Sequence, residues 1–220
     1  MMKPIYHKTS ISVITILLCM VSIRGSSQSG LFKDMDQVEE FKVNLKAFND
    51  ETKTLTSEFR QVKHLDILSQ DIVTSGNFYY KKEDRLRWEY TEPFEYVIIF
   101  NENDILIRDE NRESRYNTES NEMFRQISHL MTNVIQGDVL EETDNFSSRY
   151  MENGLEYQVI LIPQSDLYKN FFRQIEIYFG KIDLMVRKLI FLEQSEDNTQ
   201  IEFFNKKRNE TIPDTVFETH

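Results

Sequence analysis

The residue types that most often carry catalysis or bind metals are scattered through this sequence. Beyond residue 27 there are three histidines, His64, His129 and His220, and none has a metal-binding companion at short spacing. The same part of the sequence has no cysteine and no Gly-x-Ser-x-Gly, P-loop, His-Glu-x-x-His or Gly-x-Gly-x-x-Gly motif. We therefore predict that the protein is not an enzyme and needs neither a cofactor nor a metal. A metal site assembled from distant segments stays an open alternative.

Large apolar side chains, in contrast, recur at a spacing that suits the binding of a hydrophobic ligand. A period of two places Leu86, Trp88 and Tyr90 on one face of a predicted strand. Arg85 and Arg87 alternate with them and are predicted to lie on the opposite, solvated face. Other segments repeat the pattern with these residues: Phe78, Tyr80, Ile175, Ile177, Ile201 and Phe203. The sequence therefore predicts one sheet face that is rich in aromatic and branched side chains.

The elements that carry this face follow from the spacing of the apolar residues. A helical stripe covers residues 34–49, and the period changes to two after Thr54. Turn-forming pairs such as Asn153-Gly154 separate the later segments, which favours hairpins and an antiparallel sheet. Eleven strands are predicted at residues 54–64, 71–81, 84–90, 96–100, 105–109, 114–118, 147–152, 155–162, 171–179, 184–194 and 199–206.

A second amphipathic helix is predicted between the two groups of strands. Residues 120–135 have apolar side chains at helical spacing, and Gly137 follows in a position that favours helix termination. Its candidate contact residues with the sheet are Met123, Ile127, Leu130 and Met131. Two short helices are few for so large an apolar face. The sheet therefore either packs an ordinary core or encloses a cavity for a hydrophobic ligand, and both interpretations stay open.

Composition and the amino-terminal segment limit the partners and the location of the protein. Its 26 Lys and Arg against 37 Asp and Glu give a net charge of −11, which argues against nucleic acid as a partner. Residues 1–27 combine Lys3 and Lys8, an apolar run at 11–23 and small residues behind it. This pattern predicts a secretory signal peptide, with an uncleaved anchor as the alternative. Residues 28–220 are then predicted to form a single exported, soluble domain without disulfides.

An ordered set of short motifs runs through the predicted exported domain. The set begins with Phe59-x-Gln61, Ser75-Gly76-Asn77-Phe78 and Arg87-Trp88-x-Tyr90-x-x-Pro93. It ends with these residues of the last strands and the tail: Glu193, Asp197, Thr199, Ile201, Phe203, Asn209, Ile212 and Phe217. The set resembles the periplasmic outer-membrane lipoprotein carrier family, LolA. This resemblance implies a mainly β (α+β) fold, an incomplete, strongly curved antiparallel β-barrel of about eleven strands closed by a helical lid over an apolar cavity.

The resemblance also implies a function and a binding site. Members of this family receive acylated lipoproteins from an inner-membrane ABC-type release complex, cross the periplasm and deliver them to an outer-membrane acceptor. We expect a monomer. Lys82 stands where the family has a basic residue that contacts lid carbonyls, and it is the candidate lid latch, although the neighbouring Pro and Gly of the family are absent here. The candidate lipid-binding residues are Phe59, Phe78, Tyr80, Leu86, Trp88, Tyr90, Ile98, Phe100, Met123, Ile127, Leu130, Met131, Ile175, Ile177, Ile201 and Phe203.

Two other functions are compatible with the same resemblance. Related half-barrels serve as lipid-binding envelope sensors or interaction modules, which bind without transporting. A specialised paralogue would carry another acylated product in place of lipoproteins. The sequence does not choose between these alternatives and the lipoprotein carrier.

Overall fold

The computed structural model of the protein describes residues 30–82, 85–101, 104–109, 112–117, 130, 132–135, 138–141 and 144–218. The predicted signal peptide, residues 1–27, lies outside these ranges. So do three of the candidate lipid-binding residues, Met123, Ile127 and Met131.

The described elements are mostly strands. They are β1 (Lys33–Asp34), β2 (Thr54–His64), β3 (Ile72–Lys81), β4 (Arg85–Glu92), β5 (Tyr96–Asn101), β6 (Asp104–Asp109), β7 (Glu113–Asn117), β8 (Phe146–Glu152), β9 (Glu156–Pro163), β10 (Phe172–Gly180), β11 (Val186–Glu193) and β12 (Asn198–Arg208). The helices are α1 (Val38–Glu51) and the short α2 (Asp166–Lys169). Residues 132–135 are also helical, and 3₁₀ helices lie at Asp138–Glu141 and Asp214–Phe217.

The twelve strands form one antiparallel sheet in the order β1-β8-β9-β10-β11-β12-β2-β3-β4-β5-β6-β7. Hairpins connect β2 to β7 and β8 to β12 in sequence, and β12 pairs with β2 to join the two halves. The sheet is curved and unclosed, with β1 and β7 at its edges. The predicted fold class is thus confirmed, and each predicted strand coincides with one of β2 to β12. The strand β1 was not predicted because two residues show no period.

Helix α1 packs its apolar face on the inner side of the sheet. Phe41 and Leu45 are each 3% exposed. The ring centroid of Phe41 lies 4.7 Å from that of Tyr157 and 5.6 Å from that of Phe179. The predicted helix at 34–49 is correct in type but begins later, at Val38. The reason is that β1 is extended, since it pairs with β8.

The carboxyl-terminal segment, residues 212–217, covers the outer face of β5 and β6. Ile212 and Phe217 are buried in a second apolar cluster together with Val97, Ile99 and Leu106. This cluster lies on the side of the sheet opposite the main one, because alternate residues of β5 point to opposite faces. Ile212 and Phe217 therefore stabilise the sheet from outside.

Charged side chains of β3 and β4 hold the same segment. Asp214 Oδ1 accepts a hydrogen bond from Lys81 Nζ at 2.5 Å and from Arg85 Nη1 at 2.7 Å, and these bonds, Lys81 first, lower the pKa of Asp214. Arg87 Nη1 donates to Val216 O at 3.3 Å. Arg85 and Arg87 lie on the outer face, as predicted, but their side chains are only 20% and 16% exposed, so this face is less solvated than predicted. Alternation identifies the outer face of a strand but not a distant segment that covers it.

Candidate functional site

An aromatic cluster, defined as Phe59, Phe78, Trp88, Tyr90 and Phe203, lies on the inner face of the sheet. The ring centroid of Trp88 is 5.2 Å from those of Phe59 and Phe78 and 6.0 Å from that of Phe203. Phe59 and Tyr90 meet edge to face at 5.1 Å. Such edge contacts between rings are favourable beyond the area that they bury.

Strand register brings these rings together. Phe78 on β3 stands opposite Trp88 on β4, and Phe203 on β12 stands opposite Phe59 on β2. Directly opposed residues of neighbouring antiparallel strands point to the same face and have the closest side chains. Four strands from both halves of the chain therefore build one aromatic surface.

Gly76 allows the backbones of two neighbouring strands to approach closely. It lies on β3 between Phe59 of β2 and Tyr90 of β4, its partners in the two neighbouring strands. The register shifts between Ser75 and Gly76, and a Cβ atom at Gly76 would stand 1.8 Å from the carbonyl oxygen of Glu89. The glycine of the Ser75-Gly76-Asn77-Phe78 motif is therefore required by a close approach of two strand backbones.

We expect Gly76→Ala to lower the free energy of unfolding by about 1 to 3 kcal/mol, because the added methyl meets backbone atoms that cannot move alone. Chemical denaturation followed by the far-ultraviolet circular dichroism of the sheet measures this change. Ser148→Ala, at an exposed position of β8, is the control and is expected to stay within about 0.5 kcal/mol of the wild-type protein. Equal stabilities of the two variants would contradict the close approach.

The structure brings the described candidate residues together in one apolar cluster. Those that are buried are Phe59, Phe78, Tyr80, Leu86, Trp88, Phe100, Leu130, Ile175, Ile177, Ile201 and Phe203. Tyr90 and Ile98 are half-buried and pack against the same cluster. The role of these residues in lipid binding stays a prediction.

Several buried residues of this cluster were not among the candidates. Val159 and Leu161 on β9 and Leu189 on β11 are each 0% exposed. The alternation of residues 155–162 in the sequence could have identified Val159 and Leu161 as inner-face residues. Phe41 was predicted to lie on the apolar stripe of the first helix, but its place in the same interior depends on the packing of α1, which spacing alone does not specify.

The polar atoms within the aromatic cluster are few. Tyr90 Oη donates to Gln61 Oε1 at 3.1 Å. Burial, with a smaller effect of Tyr96, raises the pKa of Tyr90 to about 12, so its phenol is uncharged at neutral pH. Trp88 Nε1 is buried and, within the described residues, has no hydrogen-bond partner. The aromatic surface therefore presents one free donor and no charge of its own.

The covering segment, defined as the described residues 130, 132–135 and 138–141 between β7 and β8, packs against this interior. Its described buried residues, which belong to the same apolar cluster, are Leu130, Val134, Ile135, Val139 and Leu140. A small opening of about 20 Å³ remains beside the end of α1, lined by residues that include Tyr80, Ile135 and Leu184. The helical part of the covering segment agrees with the helix predicted at 120–135, of which residues 120–129 and 131 lie outside the described residues.

Side chains from the sheet cap the carboxyl end of α1. Arg208 donates from Nη2 to Phe48 O at 2.9 Å and from Nε to Thr52 Oγ1 at 2.7 Å. Its guanidinium carbon also lies 4.2 Å from the ring centroid of Phe48. Lys82 Nζ donates to Asp50 O at 3.0 Å. These cations face the negative end of the helix dipole and satisfy carbonyls that have no partner within the helix.

Lys82 therefore does contact a backbone carbonyl of a helix, but this helix is α1. A contact of Lys82 with the covering segment was predicted from the resemblance and stays a prediction. Its acceptor at the end of α1 is on the same side of the protein as the opening beside Tyr80.

We expect Arg208→Ala to lower the free energy of unfolding by about 1 to 2 kcal/mol, because it removes a helix cap and a cation–π contact together. The loss is expected to be largest in the last turn of α1, where amide hydrogen exchange should accelerate. Lys207→Ala is the matched control, since the side chain of Lys207 is 60% exposed and pairs with the exposed carboxylate of Glu210. Unchanged exchange at Asn49 and Asp50 in Arg208→Ala would contradict this role.

Two further findings concern metals and membranes. Within the described ranges, no three His, Cys, Asp or Glu side chains are grouped as a metal site. The side chain of His64 faces Asp71 at 2.9 Å, whereas His129 and His220 lie outside the described residues. Among the helices described, none is both long and apolar enough to span a membrane.

Solved structures share the fold. A crystal structure of an uncharacterised conserved protein from Thermus thermophilus aligns with a TM-score of 0.51 and 9% identity, over 84% of this chain and 94% of that one. A crystal structure of MucB aligns with a TM-score of 0.50 and 8% identity, over 84% of this chain and 64% of that one. At such identities the likeness concerns the fold alone.

Comparisons of the amino-acid sequence identify a relative and a family in addition to the shared fold. The chain is 24% identical over 178 residues to an outer-membrane lipoprotein carrier protein of Methylococcus capsulatus, and the match covers 79% of this chain and 80% of its relative. The family model described as outer membrane lipoprotein carrier protein LolA matches residues 50–220, which include β2 to β12 and the carboxyl-terminal segment. This protein therefore belongs to the LolA family of outer membrane lipoprotein carrier proteins.

Proposed function

We propose that this protein is a periplasmic carrier that binds the acyl chains of lipoproteins and moves them from the inner to the outer membrane. The observation that carries the proposal is the apolar cluster that joins the inner face of the sheet, α1 and the covering segment. Membership of the LolA family supports it, as does the name of the Methylococcus capsulatus relative. The protein acts by binding and release, without a catalytic step.

The energetics of acyl chains explain why such a carrier is needed. Each methylene transferred out of water contributes about 0.8 kcal/mol, so three chains of about fifteen carbons would cost on the order of 35 kcal/mol to move through water unprotected. Unaided transfer is therefore negligibly slow. Non-covalent affinities, however, saturate near roughly −20 kcal/mol, and a carrier that retained the whole gain would not release its cargo.

The covering segment provides a way to reduce that affinity. Leu130, Val134 and Ile135 are buried in the same apolar cluster as the side chains of the sheet, and the acyl chains are proposed to displace them on entry. Separation of these surfaces consumes part of the free energy gained on binding. The bound state is then weak enough for delivery. Lys82, whose Nζ donates to Asp50 O at the end of α1, is proposed as the latch that favours the state in which the covering segment is packed on the sheet.

The remaining parts of the proposal concern partners and location. Residues 1–27 act as the secretory signal, and the exported protein is a monomer in the periplasm. It receives acylated lipoproteins from an inner-membrane ABC-type release complex and delivers them to an outer-membrane acceptor. Neither nucleic acid nor a metal takes part.

The test is the release of a triacylated lipoprotein from inner-membrane vesicles that contain the release complex. With the mature protein present, we expect lipoprotein to appear in the soluble fraction in a complex with it. An unrelated acidic protein at the same concentration serves as the control. Lipoprotein that stays in the vesicles would contradict the carrier function. Binding of lipid without release would instead favour the sensor or interaction module.

A further inference from the structure

Among the described residues, the indole N–H of Trp88 is a buried hydrogen-bond donor without an acceptor. Trp88 is 3% exposed, and no partner for its Nε1 lies in that part of the chain. The other such atoms of the described ranges are Thr74 Oγ1, Ser165 Oγ and Arg187 Nε, and none of these residues belongs to the apolar cluster. A buried Trp N–H normally finds an acceptor, because otherwise it has lost its water without compensation.

The surroundings of Trp88 explain why the donor is free. Three of its neighbours in the aromatic cluster, Phe59, Phe78 and Phe203, have no oxygen or nitrogen in their side chains. The hydroxyl of Tyr90 donates to Gln61 Oε1, and its oxygen does not accept a hydrogen bond from the indole nitrogen. The interior therefore holds a donor for which the described residues supply no acceptor.

We propose that Trp88 Nε1 donates a hydrogen bond to an acyl carbonyl oxygen of the bound ligand. This inference rests on the proposed function and adds to it a polar contact that selects acyl chains over alkyl chains. Ester and amide linkages both present a carbonyl oxygen at the head of the chain. Such a carbonyl also loses water when it is buried, so one hydrogen bond satisfies both groups. An ether-linked alkyl chain of the same length has no carbonyl to offer.

Trp88 is the only tryptophan of the sequence, so its indole N–H gives a single identifiable NMR resonance. Three probes are added to the ¹⁵N-labelled mature protein. They are a dipalmitoyl ester lipid, the dihexadecyl ether lipid with the same headgroup, and an N-palmitoyl amide. We expect the ester and amide probes to shift the indole proton downfield and to slow its exchange with solvent. The ether probe is expected to bind without this downfield shift.

Trp88→Phe removes the donor and keeps an aromatic ring at the same position. We expect it to weaken binding of the ester probe about tenfold relative to the ether probe, the effect of one hydrogen bond. Phe78→Leu is the matched packing control, since Phe78 touches the indole but has no donor. Phe78→Leu is expected to weaken binding of the ester probe and binding of the ether probe by the same factor. The resonance of the wild-type protein decides the question even if a variant fails to fold.

The outcomes separate this inference from the carrier function. Ester and ether probes that bind equally, with no downfield shift, would overturn the carbonyl contact and leave the carrier function intact. Failure of every probe to bind would contradict the carrier function and the contact with it. A downfield shift with the ester probe alone, or with the amide probe alone, supports the contact and identifies the linkage that it recognises.

Discussion

Replacement of Phe217 by alanine is expected to lower the free energy of unfolding by about 3 to 5 kcal/mol, the usual loss for a buried Phe. Phe217 is 1% exposed and packs on the outer face of the sheet with Ile99 and Leu106, which are 0% and 1% exposed. Without its ring, the carboxyl-terminal segment loses its main apolar contact and both strand residues gain access to water. Urea unfolding, followed by circular dichroism, measures the change.

The control for Phe217 is another phenylalanine that the fold leaves in solvent. Phe94, in the turn between β4 and β5, is 76% exposed. Phe94→Ala is therefore expected to change the unfolding free energy by less than about 0.5 kcal/mol. Equal stabilities of the two variants would mean that the carboxyl-terminal segment does not pack on the sheet in solution.

Trp88→Glu is expected to reduce the release of lipoprotein from vesicles to the level measured without carrier. The change removes the indole at the centre of the aromatic cluster and places a carboxyl where acyl chains are proposed to lie. A carboxylate in such surroundings has no partner, and the loss of the buried ring alone is expected to lower the unfolding free energy by about 3 to 5 kcal/mol. Release is measured by the lipoprotein found in the soluble fraction.

Two variants separate a loss of binding from a loss of folding. Ser148→Glu introduces the same charge at an exposed position of β8 and is expected to release lipoprotein normally. Trp88→Phe keeps an apolar ring but loses the indole donor, and it is expected to release an amount of lipoprotein between those of the wild-type protein and Trp88→Glu. Circular dichroism establishes the folded fraction of each protein before the assay. A folded Trp88→Glu protein that released as much lipoprotein as the wild-type protein would contradict the role of the inner face.

The inner face of the sheet was predictable because it depends on local alternation. Leu86, Trp88 and Tyr90 share a face in any strand, and turn residues such as Asn153-Gly154 indicated the hairpins that set the neighbouring strands in register. The glycine at position 76 also belonged to a recognised motif. The sequence did not show why a glycine is needed there. A Cβ atom at this position would stand 1.8 Å from Glu89 O, and this is visible only once the positions of the two strands are known.

Other features depend on contacts between segments that are far apart in the sequence. Asp214 meets Arg85 across 129 residues, and Arg208 meets Phe48 across 160. Local periodicity gives no sign of such pairs. The outer face predicted for Arg85 was therefore correct, but its partial burial and the cap of α1 were not predicted. The start of the first helix was misplaced for the same reason, since β1 is extended only through its pairing with β8.

Photocrosslinking from the acyl chain tests most directly whether cargo lies against the inner face. A lipoprotein with a diazirine in one acyl chain is loaded onto the mature protein, irradiated and digested. We predict crosslinks in peptides that contain inner-face residues such as Phe78, Leu86 and Ile177, which are 1%, 0% and 0% exposed before loading. Crosslinks confined to exposed apolar residues such as Ile67, which is 90% exposed, or Phe94 would place the chains outside and contradict the carrier function.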